Sequence, residues 1–152
     1  MKKGSNKIYL AYGSNLNLEQ MKRRCPYAVP LGVTKLSGYS LLFRGGIDSA
    51  VATIEPDDYG CVPALLWEIT PRCEEALDRY EGWPILYRKE TVIVTFESKQ
   101  IEAMFYVING QSLGQPSKPY LNIIREGYIS AGFDIAILDE AVEKSIVLAD
   151  NQ

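Results

Sequence analysis

Apolar and polar residues follow two rhythms along this chain, and the changes between them mark out its elements. Residues 8–12 form a short apolar run that stops at Gly13, where glycine lets the chain turn sharply. Asn17 can then cap a helix running to about Arg24, with Gln20 as its capping-box partner. Residues 31–36, 39–43, 50–54 and 61–69 read as strands, the last two set around the turn Pro56-Asp57-Asp58-Tyr59-Gly60. Thr70 and Pro71 make a strong helix start, because threonine caps through its hydroxyl and proline fits the first helical position. Cys73, Ala76, Leu77 and Tyr80 give that helix an apolar stripe, which makes Tyr80 a core residue, and Gly82 ends it with Pro84 beyond. Residues 86–96 and 101–108 alternate as half-buried strands across the polar turn Glu97-Ser98-Lys99-Gln100. After a Gly, Pro and Ser loop at 109–116, residues 118–131 and 134–148 read as helices, the second with Ile135, Leu138, Val142 and Ile146 at helical spacing. Seven strands and four helices with mostly hairpin connections predict an α+β fold: a mostly antiparallel β-barrel, closed or nearly so, flanked by helices.

Composition then limits what such a fold does. At 152 residues and 47% hydrophobic content, one domain spanning residues 1–152 with one core is expected. Charged residues make up 23% of the chain in mixed sign, and the net charge of -3 gives no field that would gather nucleic acid or an anionic membrane. The leading residues are polar and basic, with no secretory apolar segment and no apolar run near the roughly 18 residues of a membrane span, so cytoplasmic residence is expected. Cys25, Cys61 and Cys73 are far apart and form no CxxC pair, which predicts free thiols. The chain contains no histidine. That excludes a Ser-His-Asp triad, a Cys-His pair and an HExxH site, and leaves chemistry to carboxylates, tyrosines, hydroxyls or lysine.

Two segments carry candidate chemistry. In Tyr12-Gly13-Ser14-Asn15-Leu16 a strand ends at a glycine, and free backbone N–H groups lie beside small hydroxyl and amide side chains. Such a loop can bind a carboxylate or an oxyanion, although its composition also suits a plain strand-to-helix turn. It lacks the GxxxxGK[ST] and GxGxxG spacings, so it is not a phosphate loop. Glu81 is the second candidate, as the last residue of its predicted helix. The negative end of the helix dipole disfavours a charged carboxylate there and raises its pKa, as a general base near neutrality requires. An ordinary solvated glutamate is the competing reading. Ser14 ranks low as a nucleophile because no histidine can serve as its base.

The run Tyr9-Leu10-Ala11-Tyr12-Gly13-Ser14-Asn15-Leu16, followed by Leu77-Asp78 and Glu81-Gly82, resembles the γ-glutamylcyclotransferase-like (AIG2-like) family, whose site combines a YGSN loop with a glutamate-glycine pair. Phe43, Gly45-Gly46, Ala52-Thr53-Ile54 and Trp67 fall where that family has its central strands, and Tyr87 and Tyr120 where it has tyrosines near the pocket. The resemblance extends over residues 7 to 131. It implies a small-molecule γ-glutamyl substrate whose own α-amine attacks its γ-amide carbon, giving 5-oxoproline and a free amine or amino acid. Glu81 would be the general acid/base and the N–H groups of Gly13 to Leu16 would stabilise negative charge, with Tyr87 and Tyr120 either orienting the substrate or packing at the barrel mouth. No cofactor or metal is implied. Members of the family are often dimers, so a homodimer is a further implication. The alternative is a non-catalytic ligand-binding or interaction domain on the same fold.

Overall fold

The computed structural model describes residues 6–151, so the first five residues of the polar leading stretch lie outside it. Among the described residues there are five strands and four α-helices. The strands form one sheet in the order β2 (Val29–Gly46), β3 (Ser49–Ile69), β1 (Lys7–Ala11), β5 (Lys99–Ile108), β4 (Tyr87–Phe96). The strand β1 (Lys7–Ala11) lies at its centre. It pairs antiparallel with β3 (Ser49–Ile69), Tyr9 opposite Trp67, and parallel with β5 (Lys99–Ile108), Tyr9 opposite Met104. All other pairings are antiparallel, as the hairpin spacing predicts.

The count of strands is lower than predicted. Residues 31–36 and 39–43 belong to one strand, β2 (Val29–Gly46), while 50–54 and 61–69 both belong to β3. These two pair from Val29 opposite Glu68 to Gly46 opposite Ser49, so each satisfies the other's backbone along its length. Residues 56–60 do not reverse the chain. Between the pairs Ser37–Cys61 and Tyr39–Pro56, one residue of β2 faces four of β3, so the turn-forming residues are taken up by a bulge.

The predicted barrel is not closed. Its edge strands β2 and β4 (Tyr87–Phe96) approach where Thr34 Oγ1 donates to the Thr95 carbonyl at 3.0 Å, but no backbone ladder joins them. The Phe96 ring fills the space over Gly32, 2.8 Å from where a Cβ there would stand. The core on the sheet includes Leu10, Phe43, Ile54, Leu66 and Phe105, all fully buried.

Helix starts follow the local signals. Asn17 caps α1 (Leu18–Arg24), its side chain accepting from Gln20 N at 3.1 Å. The Gln20 side chain does not complete a capping box: its Oε1 accepts from Arg24 Nη2 at 3.0 Å instead. Thr70 caps α2 (Pro71–Glu81), and Gly82, in the left-handed region at φ 77°, stops it. The helix α3 (Lys118–Ala131) has the predicted bounds, and Asp134 caps α4 (Ile135–Asp150). No helix among the described residues is long and apolar enough to cross a membrane.

The helices fix what surrounds the candidate loop. After β1 the chain makes a short 3-10 turn, Ser14–Leu16, which α3 covers with Gly127. A Cβ at Gly127 would stand 2.7 Å from Leu16 Cβ, so glycine is what allows this approach. Asn17 fastens the contact by donating to the Ile123 carbonyl and to Glu126 Oε1 at 3.0 and 3.1 Å. On the other side, Cys25 at the end of α1 and Cys73 in the first turn of α2 are paired as a disulfide with Cα atoms 5.2 Å apart. This corrects the expectation of free thiols for these two, since packing of α1 on α2 joins cysteines 48 positions apart; Cys61 is free and exposed.

Candidate functional site

The loop after β1 and the end of α2 meet across one cleft of about 210 Å³. Tyr9, Tyr12, Gly13, Ser14 and Asn15 form one wall, and Tyr80 and Glu81 face them from α2. Val51 and Ala52 of β3, Tyr87 of β4, Tyr106 of β5, Tyr120 of α3 and Leu86 complete it. Among the described residues, Glu81 is the only charged side chain on this wall. Six of the chain's ten tyrosines line it, so nearly every other polar group facing a ligand there is a hydroxyl.

Seven of the eight site residues expected from sequence therefore share one cavity: Tyr12, Gly13, Ser14, Asn15, Glu81, Tyr87 and Tyr120. Leu16 does not. Its side chain is fully buried under α3, and its N–H donates to Gly13 O at 3.0 Å, so neither is free for a ligand. Asn17 N likewise closes onto Ser14 O at 3.0 Å. The N–H groups of Ser14 and Asn15, at the N-terminal end of the 3-10 turn, have no acceptor within it.

Asn15 is a structural tie. It is 2% exposed; its Nδ2 donates to Tyr9 Oη at 3.0 Å, its Oδ1 accepts from Arg24 Nη1, and its carbonyl accepts from Trp67 Nε1 at 3.2 Å. Tyr12 Oη donates to the Tyr106 carbonyl at 2.5 Å, and Tyr120 Oη accepts from Ala52 N at 2.9 Å. Ser14 Oγ lies 3.4 Å from Tyr80 Oη. Gly13 passes so close to β3 that a Cβ on it would meet Ala52 Cβ at 3.0 Å.

Tyr80 is not the core residue that its stripe position suggested. It is 46% exposed and forms part of the cleft rim, because the α2 stripe leaves the sheet after Leu77. Tyr9 and Tyr106 are further wall residues to which the sequence assigned no role, although Tyr9 opens the very run that carries the resemblance. Arg24 was also missed. It supplies the nearest cation, and only the packing of α1 beside α2 brings it there.

Burial, partly opposed by the Arg24 guanidinium, raises the Glu81 pKa to about 7. The direction is the one expected from sequence, but its leading cause is loss of water rather than the helix dipole. Burial likewise pushes Tyr9, Tyr12, Tyr87, Tyr106 and Tyr120 above the usual phenol value, with the Glu81 charge adding to the rise in each. These hydroxyls thus stay protonated at neutral pH, and Glu81 is the group on the wall that can exchange a proton there. No cluster of three or more Cys, Asp, Glu or His among the described residues is placed to hold a metal ion.

Known proteins resemble this chain in both sequence and fold. The family model described as gamma-glutamyl cyclotransferase, AIG2-like, matches residues 9–128. A gamma-glutamylcyclotransferase of Bos taurus is 29% identical over 137 residues, covering 82% of this chain and 71% of the relative. A solved structure described as gamma-glutamyl cyclotransferase superposes with a TM-score of 0.81 at 25% identity, covering 90% of this chain and 86% of the other. An uncharacterized protein from Homo sapiens superposes at 0.79 with 26% identity, covering the same shares. With a family match across most of its length and a cleft built from the residues that carry the resemblance, the chain belongs to the gamma-glutamyl cyclotransferase, AIG2-like family.

Proposed function

We propose that this protein is a cyclotransferase that converts a γ-glutamyl amino acid or γ-glutamylamine to 5-oxoproline and the free amine. The observation that carries the proposal is the Glu81 carboxyl, alone among charged side chains on the wall of a small tyrosine-lined cleft, where burial pushes its pKa up to about 7. The substrate brings its own nucleophile. Its α-amine nitrogen bonds to the γ-carbonyl carbon, closing a five-membered lactam, and the bond from that carbon to the leaving nitrogen breaks. Because attack is intramolecular, much of the entropic barrier is already removed, which suits a site without an activated serine, a histidine or a metal cluster among the described residues.

Proton transfer is what remains for the protein. Glu81 takes a proton from the α-ammonium, so that the free amine attacks, and delivers it to the departing nitrogen; the second proton lost by the ring nitrogen passes to the released amine, which leaves as an ammonium, and the carboxylate is regenerated each cycle. Negative charge on the former carbonyl oxygen is stabilised by the N–H groups of Ser14 and Asn15, which the 3-10 turn leaves unused. The tyrosine hydroxyls, neutral at working pH, orient the substrate without competing for the proton.

The test is to incubate the protein with a panel of γ-glutamyl amino acids and γ-glutamylamines, beside its Glu81→Gln variant, and measure 5-oxoproline by chromatography. Release by the wild type alone supports the proposal. Full turnover by Glu81→Gln would remove Glu81 from the reaction. Tight binding of 5-oxoproline without turnover of any compound would replace catalysis with a binding-only domain.

A further inference from the structure

Beside the cleft stands a guanidinium that no carboxylate neutralises. Arg24 is the last residue of α1, and among the described residues it makes no ion pair. It is nonetheless held from three directions. Nη1 donates to Asn15 Oδ1, Nη2 donates to Gln20 Oε1 at 3.0 Å, and the guanidinium carbon lies 3.6 Å from the centroid of the Tyr80 ring. Asn15 ends the wall opposite Glu81, and Tyr80 directly precedes it.

We propose that Arg24 is a positioning residue, a fixed positive charge that α1 holds against the Tyr80–Glu81 end of α2 to keep the Glu81 carboxylate ionisable inside its buried setting. The proposal concerns the protonation of Glu81 itself, and its catalytic consequence rests on the cyclotransferase reading above.

The surroundings of Glu81 leave no other group for this task. From β1 and its loop it faces Tyr9 and Tyr12, from β4 Tyr87, from β5 Tyr106, from α3 Tyr120 and on its own helix Tyr80. All of these are phenols. Asp78, one turn earlier on α2, is turned away: it accepts from Tyr106 Oη at 2.6 Å and pairs with Lys89 at 2.9 Å. The Lys89 ammonium is shared between Asp78 and Glu74, so its charge is already matched. Arg24 is the opposing influence on the burial that raises Glu81.

The choice of arginine fits the role. Its planar fork can bond two acceptors while its face rests on an aromatic ring, so the charge is fixed in direction as well as in sign. A lysine on the same helix end would carry the charge without that grip.

The test has one readout that needs no substrate. The Glu81 carboxyl is titrated by 13C-detected NMR in the wild type, Arg24→Gln and Arg24→Lys, and the pH profile of kcat/KM is measured beside it. Arg24→Gln removes the charge and is expected to move the carboxyl midpoint upward by about half a unit or more, with the profile following. Arg24→Lys is expected to return the midpoint most of the way while turnover stays reduced. A folded Arg24→Gln whose midpoint matches the wild type would overturn the proposal and reduce Arg24 to a packing residue. Should Arg24→Gln not fold, Arg24→Met, which also removes the charge but keeps an unbranched stem, takes its place: a midpoint raised by about half a unit or more supports the proposal, and a midpoint matching the wild type overturns it. If no γ-glutamyl compound is turned over, the carboxyl titration still decides the role of Arg24, so failure of the cyclotransferase reading is seen separately.

Discussion

Glu74 and Glu81 lie seven residues apart on the same helix, yet their carboxyl groups are driven in opposite directions. Burial alone would raise Glu74, but its hydrogen bonds to Lys89 and Lys7 outweigh that and hold it below the usual value. Glu81 is desolvated more strongly, has no lysine, and rises to about 7 with only Arg24 opposing. What also differs is the side chains that β1 and β4 present to each end of α2, Lys7 and Lys89 to its start and Tyr9 and Tyr87 to its end. Lys89 projects from β4 under the first two turns, reaching Glu74 at 2.7 Å, while the last turn faces the tyrosine wall. One glutamate is thereby made an anchor and the other a group free to gain and lose a proton near neutrality.

The sharpest way to break this contrast is at Glu81. General acid/base help contributes ~10² to 10⁴ in rate, so Glu81→Gln should lower kcat/KM by about that factor, while Glu74→Gln should leave it within about threefold. Equal losses in the two variants, measured on the best substrate of the panel, would erase the distinction. For the wild type, kcat/KM should rise with pH through about 7, since the base must be deprotonated in the free enzyme.

Stability should separate the pair next. The raised pKa of Glu81 means that its folded form is favoured when protonated; this contribution is full below the unfolded value of 4.5 and is lost as pH rises through about 7. Glu81→Gln should therefore be more stable than wild type at pH 8, by roughly 1 to 2 kcal/mol once solvent access from the cleft is allowed for. Thermal melts at pH 8 and 4.5 check this, the gain narrowing at the lower pH. Glu74 has the opposite sign: its lowered pKa adds stability above about 4.5 that is lost as pH falls through the folded value.

Lys89→Met should cost about 2 kcal/mol in chemical denaturation, because it strands two partly buried carboxylates, Glu74 and Asp78, without their shared cation. The smallest effect is expected from Lys7→Ala. Its ammonium also reaches Glu74, but the side chain is 56% exposed, and such a pair contributes between 0 and about 1 kcal/mol. A loss from Lys7→Ala as large as that from Lys89→Met would show that burial is not what ranks these partners.

The same division runs through what could be read before the fold was known. Asn17, Thr70-Pro71, Gly82 and Asp134 act within a few residues of themselves, and the helix boundaries they predict stand within about two positions. The YGSN loop and the Glu-Gly pair were legible for the same reason, each being a short local pattern. Strand number was misread where local chemistry and long-range pairing disagreed. Residues 56–60 look like a turn, but β2 supplies an uninterrupted partner and the extra residues bulge.

By itself, then, the sequence determined the helices, the order of the elements and the two short segments that meet at the cleft. Tertiary structure decided the rest: the open sheet, the pairing of Cys25 with Cys73, the six tyrosines around one carboxyl, and Arg24 at the back of that wall. The physical reason is range. Capping and turn formation are settled among neighbours in the chain. The pKa of a buried carboxyl is set by water lost and charges met in space, and here those charges come from helices and strands that the sequence leaves far apart.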